Sequence, residues 1–401
     1  MASIETPAEA VETAPRRRRR GGRYFIAILL VVLSLLFGVP WWTLVLAPGW
    51  PVAVTAIGTV LIATVLAAFP VLMFRGHGRG IDWAAWTGDT ILGVIWILFV
   101  WSVLGNVAGL GLMAAGVADP IRWRIVAVAV IAVAALLSVW GYIEAMRVPR
   151  VRRVEVRIPR LDARLDGLRV VLLTDTHFGP IDRARWSARV VASVNALDAD
   201  IVCHTGDIAD GTVARRRAQS AHLGDVKARL ARAYVTGNHE YFGEAEGWLD
   251  HMQELGWEPL HNRHLVLERD GARLILAGVD DRTAKSSGRP GHGADHAAAL
   301  AGTDAELPVV LLAHQPKQID GAVTHGVDLQ LSGHTHGGQI WPFHLLVRLD
   351  QPVLQGLTRH GDRTQLYTSR GTGFWGPPLR VFAPSEISLI TLRSGPTSTR
   401  E

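Results

Sequence analysis

The chain divides near residue 150 into two parts with different hydrophobic patterns. Before it, the stretches Tyr24 to Phe74, Thr90 to Ala118 and Ile125 to Ile143 contain no Asp, Glu, Lys or Arg. Uncharged apolar stretches of this length are typical of membrane-spanning helices, which need about 20 residues. After it, short β-branched runs alternate with helix-like stretches, which predicts an α/β domain.

The uncharged stretches predict four membrane spans. The sequence Ala47-Pro48-Gly49-Trp50-Pro51 interrupts the first stretch and predicts a turn between two helices. The expected spans are Tyr24 to Leu46, Val52 to Phe74, about Ile91 to Met113 and about Ile125 to Tyr142. Buried helices of a soluble protein are the alternative, but the length and purity of the runs disfavour it. We therefore expect a transmembrane domain at residues 24–146.

Arginines flank these spans unevenly. The first turn carries no charge, whereas arginines precede the first span and follow the second and fourth, at Arg16 to Arg20, Arg23, Arg75, Arg79, Arg147, Arg150, Arg152 and Arg153. The positive-inside rule predicts cytoplasmic termini and a cytoplasmic C-terminal domain, although Arg122 and Arg124 weigh against it. A secretory or twin-arginine signal is disfavoured, because three more spans follow. Residues 1–23 would form a basic cytoplasmic tail and residues 394–401 a disordered tail.

The charge balance points to the membrane. Lys and Arg exceed Asp and Glu by 41 to 36, and the excess comes largely from the flanks of the spans. It indicates contact with anionic lipid headgroups rather than with nucleic acid. We therefore expect the lipid bilayer as a partner, whereas protein partners stay unknown from the sequence.

Eight strands are expected after Pro149, and their continuous apolar runs are typical of sheets that are covered on both faces. They are Leu168 to Leu173, Asp200 to Cys203, Ala233 to Val235, Arg273 to Ala277, Val309 to Leu312, Leu329 to Leu331, Gln365 to Thr368 and Ile387 to Leu392. Helices are expected at Arg183 to Asn195, Thr212 to Arg229 and Glu244 to Leu255. Ligands of such folds gather at the strand ends.

Five polar motifs follow apolar runs in this part of the chain. They are Asp175-Thr176-His177, Gly206-Asp207-Ile208-Ala209-Asp210, Gly237-Asn238-His239-Glu240, His314 and Gly333-His334-Thr335-His336. Asp and His suit divalent Mn, Fe or Zn, and side chains at strand ends can point into one pocket. Each motif alone is weak evidence, but five in this order predict a site for two metal ions.

The residue types within the motifs suggest different roles. A glycine before Asp207 permits a tight turn, so that this carboxylate can project from a strand end and bridge two cations. Asn238 offers a neutral amide oxygen as a ligand, while the adjacent His239 stays free for proton transfer. Asp210 is not expected to be a ligand, because it lies one turn further along the chain.

The set of motifs resembles the calcineurin-like metallophosphoesterase superfamily over about Val151 to Arg393. More narrowly, it is similar to a membrane-associated bacterial branch that includes phosphoesterases resembling the UDP-diacylglucosamine pyrophosphohydrolases. The narrower similarity rests on three segments, which are Gly333-His334-Thr335-His336-Gly337-Gly338-Gln339-Ile340, Tyr367-Thr368-Ser369-Arg370-Gly371-Thr372-Gly373 and Pro384-Ser385-Glu386-Ile387.

The resemblance implies a fold and a set of site residues. The domain at residues 150–393 would be a four-layer α-β-β-α sandwich with mixed sheets, following the four-helix transmembrane domain. Two divalent metal ions would be held, one by Asp175, His177, Asp207 and His336, and the other by Asp207, Asn238, His314 and His334. His239 would be the general acid, and Asp210 would orient it.

The resemblance also implies a function, a membrane-anchored phosphohydrolase that cleaves a phosphodiester, pyrophosphate or phosphomonoester bond of a lipid-linked substrate. A nuclease or cyclic-nucleotide phosphodiesterase is one alternative, but the region after Pro149 lacks a Lys/Arg stripe interleaved with aromatic residues. A phosphoesterase that regulates a membrane sensor or transporter is another, but the expected spans carry no Asp, Glu, Lys, Arg or His inside the membrane.

Two features of the sequence stay open at this stage. The stretch Ile340 to Leu357 is unusually apolar, so it is either ordinary core or a surface that faces the bilayer and admits a lipid-linked phosphoester. His204, beside the second motif, could support the site. Solvated surface is expected for the other histidines, which are His77, His222, His251, His261, His264, His292, His296 and His325.

Overall fold

The computed structural model describes residues 19–395, with side chains from residue 24 onward. The predictions for most of the basic N-terminal tail and for residues 396–401 of the C-terminal tail therefore lie outside the described residues. Within them the chain forms two compact units, one of the residues up to Leu66 together with Trp101–Val130, and the other of Ala67–Val100 together with the residues from Ile131 onward. The expected division into domains at 24–146 and 150–393 stays a prediction.

Four apolar helices begin the described chain. They are α1 (Arg19–Trp41), α2 (Val52–Met73), α3 (Asp82–Ala114) and α4 (Ile121–Met146). Short π-helical segments, Trp42–Leu46 and Phe74–Gly78, extend the first two. All four are long and apolar enough to cross a membrane, which confirms the four predicted spans.

Helix α3 begins at Asp82 instead of Ile91. Its first turns precede the uncharged stretch from which the span was predicted. Asp89 also lies in these turns and accepts a hydrogen bond from the Nε2 atom of His77 at 2.9 Å. These first turns belong to the same compact unit as the α/β domain. The hydrophobic pattern therefore located the helix but not its start.

Twelve strands follow in the described part of the chain. They are β1 (Arg150–Arg157), β2 (Arg169–Leu173), β3 (Ile201–His204), β4 (Ala231–Tyr234), β5 (Glu258–Pro259), β6 (Arg263–Arg269), β7 (Ala272–Gly278), β8 (Val309–Leu312), β9 (Leu329–Ser332), β10 (Gly356–His360), β11 (Thr364–Thr368) and β12 (Glu386–Arg393). One sheet has the order β1-β12-β2-β3-β4-β5, and the other has the order β10-β11-β9-β8-β7-β6. Both contain parallel and antiparallel neighbours.

Seven helices connect these strands. They are α5 (Ala184–Asn195), α6 (Val213–Ser220), α7 (Asn238–Phe242), α8 (Ala245–Glu254), α9 (His296–Ala299), α10 (Ile319–Thr324) and α11 (His344–Asp350). Helix α6 ends well before the expected Arg229, because the chain tightens into a 3₁₀ turn at Ala221–Asp225. Helix α11 lies in the apolar stretch after the last motif, and none of its residues is buried.

Alternate side chains of the inner strands pack in opposite directions. In β2, Leu172 belongs to a core that contains Leu276 and Leu331 of the other sheet. Its neighbour Val171 belongs to a second core together with Val190 of α5. Helix α10 covers the outer face of the other sheet in the same way. The layers are therefore helix, sheet, sheet and helix, which confirms the predicted sandwich.

Candidate metal centre

The predicted site residues follow the carboxyl ends of buried parallel strands. Asp175 comes after β2, Asp207 after β3 and Asn238 after β4, and these three strands are parallel neighbours in one sheet. His314 and His334 follow β8 and β9, which are parallel neighbours in the other sheet. Because the two sheets pack face to face, their strand ends bring all five side chains to one place.

The backbone turns sharply at most of the predicted ligands. Five of them have a positive φ, namely Asp175 at 53°, His177 at 41°, Asp207 at 53°, His334 at 70° and His336 at 51°. A residue other than glycine in this region costs on the order of 1–3 kcal/mol. Backbone strain is therefore concentrated at the predicted metal ligands.

Two glycines let the turns approach each other closely. A Cβ atom on Gly237 would lie 2.2 Å from the Oδ1 atom of Asp207, and one on Gly333 would lie 2.2 Å from the Oδ2 atom of Asp175. Either substitution would therefore displace a carboxylate of the site. This lack of space for a side chain explains why glycine occupies these two positions in the motifs.

One group of possible ligands contains Asp175, His177 and His336, whose ligand atoms lie within 4.8 Å of one another. The Nε2 atoms of His177 and His336 are 3.2 Å apart. The Nε2 atom of His336 is also 3.5 Å from the Oδ1 atom of Asp175. All three residues are buried, and the main-chain N–H of His334 donates to Asp175.

A second group contains Asp207, His314 and His334. The Nε2 atom of His314 lies 3.2 Å from the Oδ2 atom of Asp207 and 3.1 Å from the Oδ1 atom of Asn238. The Nδ1 atom of His334 is 3.2 Å from the same nitrogen. Asp207 Oδ2 is also 3.5 Å from the Nε2 atom of His177 in the first group, so this carboxylate lies between the two groups.

The donor set fits two divalent cations. Imidazole nitrogens face one another in pairs at 3.2 Å, where the two lone pairs of neutral rings would repel without a proton or a cation between them. Burial lowers the pKa of His334 to about 3, which keeps that ring in the neutral form that binds metals. Carboxylate, imidazole and amide donors together suit Mn, Fe or Zn.

Asp210 joins two histidines at the edge of these groups. Its Oδ1 atom lies 2.7 Å from the Nδ1 atom of His239 and 3.0 Å from the Nδ1 atom of His177. Burial lowers the pKa of His239, but the carboxylates of Asp207 and Asp210 outweigh this effect and raise it to about 9. With Nδ1 engaged, the Nε2 atom of His239 is left for a substrate, 4.0 Å from Asp207 Oδ2.

A cavity of about 480 Å³ opens onto both groups and onto His239. Its remaining walls are mostly apolar and come from several parts of the chain. They include α11 with the residues around it, α3 with Leu92, Gly93 and Trp96, and also Phe242 and Trp375. The polar residues therefore lie at one end of an apolar pocket.

Comparison with known proteins identifies this arrangement. The family of calcineurin-like phosphoesterases matches residues 168–338. An uncharacterized metallophosphoesterase of Bacillus subtilis is 30% identical over 57% of this chain and 80% of its own length. The chain belongs to the calcineurin-like metallophosphoesterase family.

Two further relatives have a higher sequence identity to this chain than the Bacillus subtilis protein has. A transmembrane protein with a metallophosphoesterase domain from Danio rerio is 40% identical to this metallophosphoesterase over 65% of the chain and 61% of its own length. An uncharacterized metallophosphoesterase of Helicobacter pylori is 38% identical over 63% of this chain and 66% of its own length. This metallophosphoesterase thus spans less than two thirds of the length of the transmembrane relative.

The structure brings together all nine site residues predicted for this metallophosphoesterase, but sequence reasoning missed three residues that support them. Glu240 is buried and accepts hydrogen bonds from the main-chain N–H groups of Gly237, Asp207 and Ile208 at 2.6, 2.9 and 2.8 Å. Burial and the nearby Asp207 raise the pKa of Glu240 to about 7. The motif contained Glu240, but its spacing did not indicate this role.

Two buried arginines donate hydrogen bonds to the main chain of the loops that contain His177 and His336. Arg183 donates to the carbonyl oxygens of Thr176 and His177, and Arg380 donates to that of His336 at 3.1 Å. Burial lowers the pKa of Arg183 to about 10 and that of Arg380 to about 9. Fully buried arginines are rare, and no motif surrounds either residue, so the sequence offered no signal.

The expectation of solvated histidines is wrong at two positions. His251 is buried and lies 3.0 Å from the hydroxyl oxygen of Ser220. The side chain of His292 is 8% exposed and lies 3.1 Å from the hydroxyl oxygen of Tyr241. His204 is buried behind the first two motifs, with its Nε2 atom 3.2 Å from the hydroxyl oxygen of Thr176.

Replacing Asp207 with Asn should release metal, because it removes the negative charge that lies between the two ligand groups. Loss of an outer partner of a ligand already weakens metal binding about 10–100-fold, so we expect at least that loss here. Metal content of the purified protein, measured by mass spectrometry, checks the prediction. Asp362→Asn, at an exposed position, is the matched control and should keep its metal. Full metal content in Asp207→Asn would contradict the prediction.

Replacing Glu240 with Gln should destabilise the domain, because an amide has one acceptor oxygen for three main-chain donors. Leaving a buried donor unpaired costs about 1–3 kcal/mol. At about 2–4 °C per kcal/mol, we expect the unfolding temperature in detergent to fall by about 2–12 °C. The exposed Glu268→Gln should leave it unchanged, and an equal effect of both substitutions would exclude the proposed role of Glu240.

Proposed function

We propose that this chain is a membrane-anchored, metal-dependent phosphoester hydrolase with a lipid-linked substrate. The observation that carries the proposal is the convergence of two Asp/His groups on one side of the His239–Asp210 pair. The bond cleaved would be a phosphodiester, pyrophosphate or phosphomonoester. Membership of the metallophosphoesterase family supports the reaction class.

Each ligand group would hold one cation. Asp175, His177 and His336 would bind the first, and Asn238, His314 and His334 the second, with Asp207 shared between them. Two such cations, when bound, lower the pKa of a coordinated water and stabilise charge on the phosphoryl oxygens. Glu240 keeps Asp207 in position through the main-chain N–H groups on either side of the loop.

His239 would supply the proton for the leaving oxygen from its Nε2 atom. Asp210 accepts the hydrogen bond from Nδ1–H and so fixes the plane of the ring and favours its protonated form. Phe242 and Trp375 pack against the ring at centroid distances of 5.3 and 5.9 Å. The ring is therefore held between a carboxylate and two aromatic side chains.

The walls of the cavity support a lipid-linked substrate. Among the described residues that line it, none is Lys or Arg, whereas a nuclease needs a basic groove for the phosphate backbone. An apolar pocket beside a phosphoester site suits a hydrocarbon chain. The sequence resemblance to UDP-diacylglucosamine pyrophosphohydrolases, which we retain as a proposal, points to the same chemistry.

The position in the cell follows from the helices and the arginines. Four apolar helices support a multi-pass membrane protein, with the transmembrane domain at 24–146 and the catalytic domain at 150–393. We infer a cytoplasmic catalytic domain from the arginine distribution. The regulatory alternative, in which the membrane domain is a sensor or transporter, has no specific observation in its favour.

Replacing His239 with Ala should lower turnover most on substrates with poor leaving groups, because these need a proton at the leaving oxygen. General acid catalysis contributes about 10²- to 10⁴-fold, and an activated aryl leaving group should lose far less. The measurement is kcat for an alkyl and a p-nitrophenyl phosphodiester with Mn²⁺, on the full chain in detergent. Wild-type protein that binds metal but hydrolyses neither ester would refute the phosphodiesterase form of the proposed function.

Two controls make this result specific. His222→Ala, at a partly exposed position where the side chain is 39% exposed, should change neither rate. Metal content should be the same in His239→Ala and in wild type, since His239 is not assigned as a ligand. A loss of metal, or an equal loss of rate on both esters, would exclude the general-acid role.

A thiol-labelling experiment tests the orientation. Cys203 is the sole cysteine of the chain and is buried, so an introduced cysteine would be the one that reacts. Asp362→Cys in the catalytic domain should react with a membrane-impermeant maleimide only after the cells are broken. Ala118→Cys, in the loop between α3 and α4, should react in intact cells. The reverse pattern would place the catalytic domain outside.

A further inference from the structure

The first turns of α3 pack directly on the catalytic domain. Asp82 accepts hydrogen bonds from Arg215 and Arg216, at 2.8 and 2.7 Å. One turn before the pocket, Asp89 pairs with His77. A Cβ atom on Gly93 would lie 2.6 Å from the Cδ1 atom of Leu379, so glycine allows the close approach. All these residues belong to one compact unit.

This part of α3 forms one wall of the cavity. Leu92 and Trp96 lie one turn apart on the helix and line the cavity together with Phe343 and Leu346. The rings of Trp96 and Phe343 meet edge to face, with centroids 5.8 Å apart and planes at 83°. The walls formed by α3 and by α11 with the residue before it therefore meet at these two rings.

The position of these residues along α3 relates the pocket to the bilayer. Asp82 and Asp89 lie before the uncharged stretch, which runs from Thr90 to Ala118. Leu92 and Trp96 lie in the first two turns of that stretch. The helix has 33 residues, about 50 Å at 1.5 Å per residue, whereas the hydrocarbon core is about 30 Å thick. The pocket wall therefore lies where α3 enters the membrane.

The surface around the cavity is apolar as well. On α11 the side chains of Leu345, Leu346 and Leu349 are 57%, 49% and 84% exposed. Phe242 and Trp375, which line the cavity, are 70% and 48% exposed. Large apolar side chains grouped in this way are unfavourable in water and typical of a surface that contacts a bilayer.

We propose that α3 is part of the substrate site and that it positions the hydrocarbon chain of a lipid-linked phosphoester. The chain lies in the cavity against Leu92, Trp96, Phe343 and Leu346, while the phosphoester lies at His239. This inference rests on the proposed function and adds the residues that determine chain preference. The volume is within the range of about 300–1,000 Å³ that ligand pockets have.

The indole of Trp96 adds a polar contact for the same substrate. Its N–H is buried and has no hydrogen-bond partner among the described residues. Buried tryptophan N–H groups usually find an acceptor. An ester or headgroup oxygen of a lipid that enters the pocket supplies one.

Chain-length preference tests the proposal on the full protein in detergent with Mn²⁺. The substrates are the methyl and the dodecyl esters of p-nitrophenyl phosphate, and the readout is the ratio of their kcat/KM values. Wild type should prefer the dodecyl ester. Leu92→Trp fills the cavity from α3 and should lower this ratio by about tenfold, because burial of each methylene contributes about fourfold.

A second variant and a control complete the test. Leu346→Trp narrows the cavity from α11 at a half-exposed position, so folding is not in question, and it should lower the ratio similarly. Leu104→Trp is the same change further along α3, at a position that is 40% exposed and outside the cavity, and should keep the ratio.

The outcomes separate the inference from the proposed function. Hydrolysis of both esters without chain preference in wild type, or with a preference that both cavity variants retain, overturns the role of α3 and leaves the hydrolase standing. Absence of hydrolysis of either ester by metal-loaded wild type overturns the phosphodiesterase form of the proposed function and, with it, this inference. A ratio that falls equally in Leu104→Trp would also overturn the inference, since the effect would not be specific to the cavity.

Discussion

The rest of the site depends on the interactions of the Asp207 carboxylate. It lies within 3.2 Å of His314 and 3.5 Å of His177, which come from different sheets, and its Oδ1 atom accepts the main-chain N–H of His239. A buried carboxylate in such a place is costly unless it is paired. The positive partners that it needs, imidazolium or cation, are also the groups that phosphoester chemistry uses.

The fold can hold this arrangement because its strain is supported by rigid neighbours. Five of the predicted ligands have left-handed backbone, a cost that only a well-packed scaffold sustains. The strands that precede them are buried on both faces. Arg183, Arg380 and Glu240 then fix the loops through main-chain atoms. Rigid strands and fixed loops leave the side chains little freedom, so the site is preorganised.

Much of this could be predicted from the sequence, because buried strands and polar strand ends leave strong local patterns. Edge strands such as β1 and β6 were missed, since their alternating charged residues do not form apolar runs. The start of α3 was missed because a charged first turn breaks the pattern of a membrane span without ending the helix. Arg183 and Arg380 could not be found, because their partners are carbonyl oxygens that only the folded chain brings near.

The contact of α3 with the catalytic domain changes how the protein can be divided. A cut near Pro149 would follow the change in composition, yet it would remove Leu92 and Trp96 from the cavity and the Asp82 carboxylate from Arg215 and Arg216. The facing side of α11 would then be open to water. A soluble fragment would keep every predicted metal ligand but lose the part of the cavity wall that α3 forms. We expect such a fragment to retain hydrolysis of a small ester and to lose the proposed preference for a lipid, which makes the full chain the proper unit for questions of substrate.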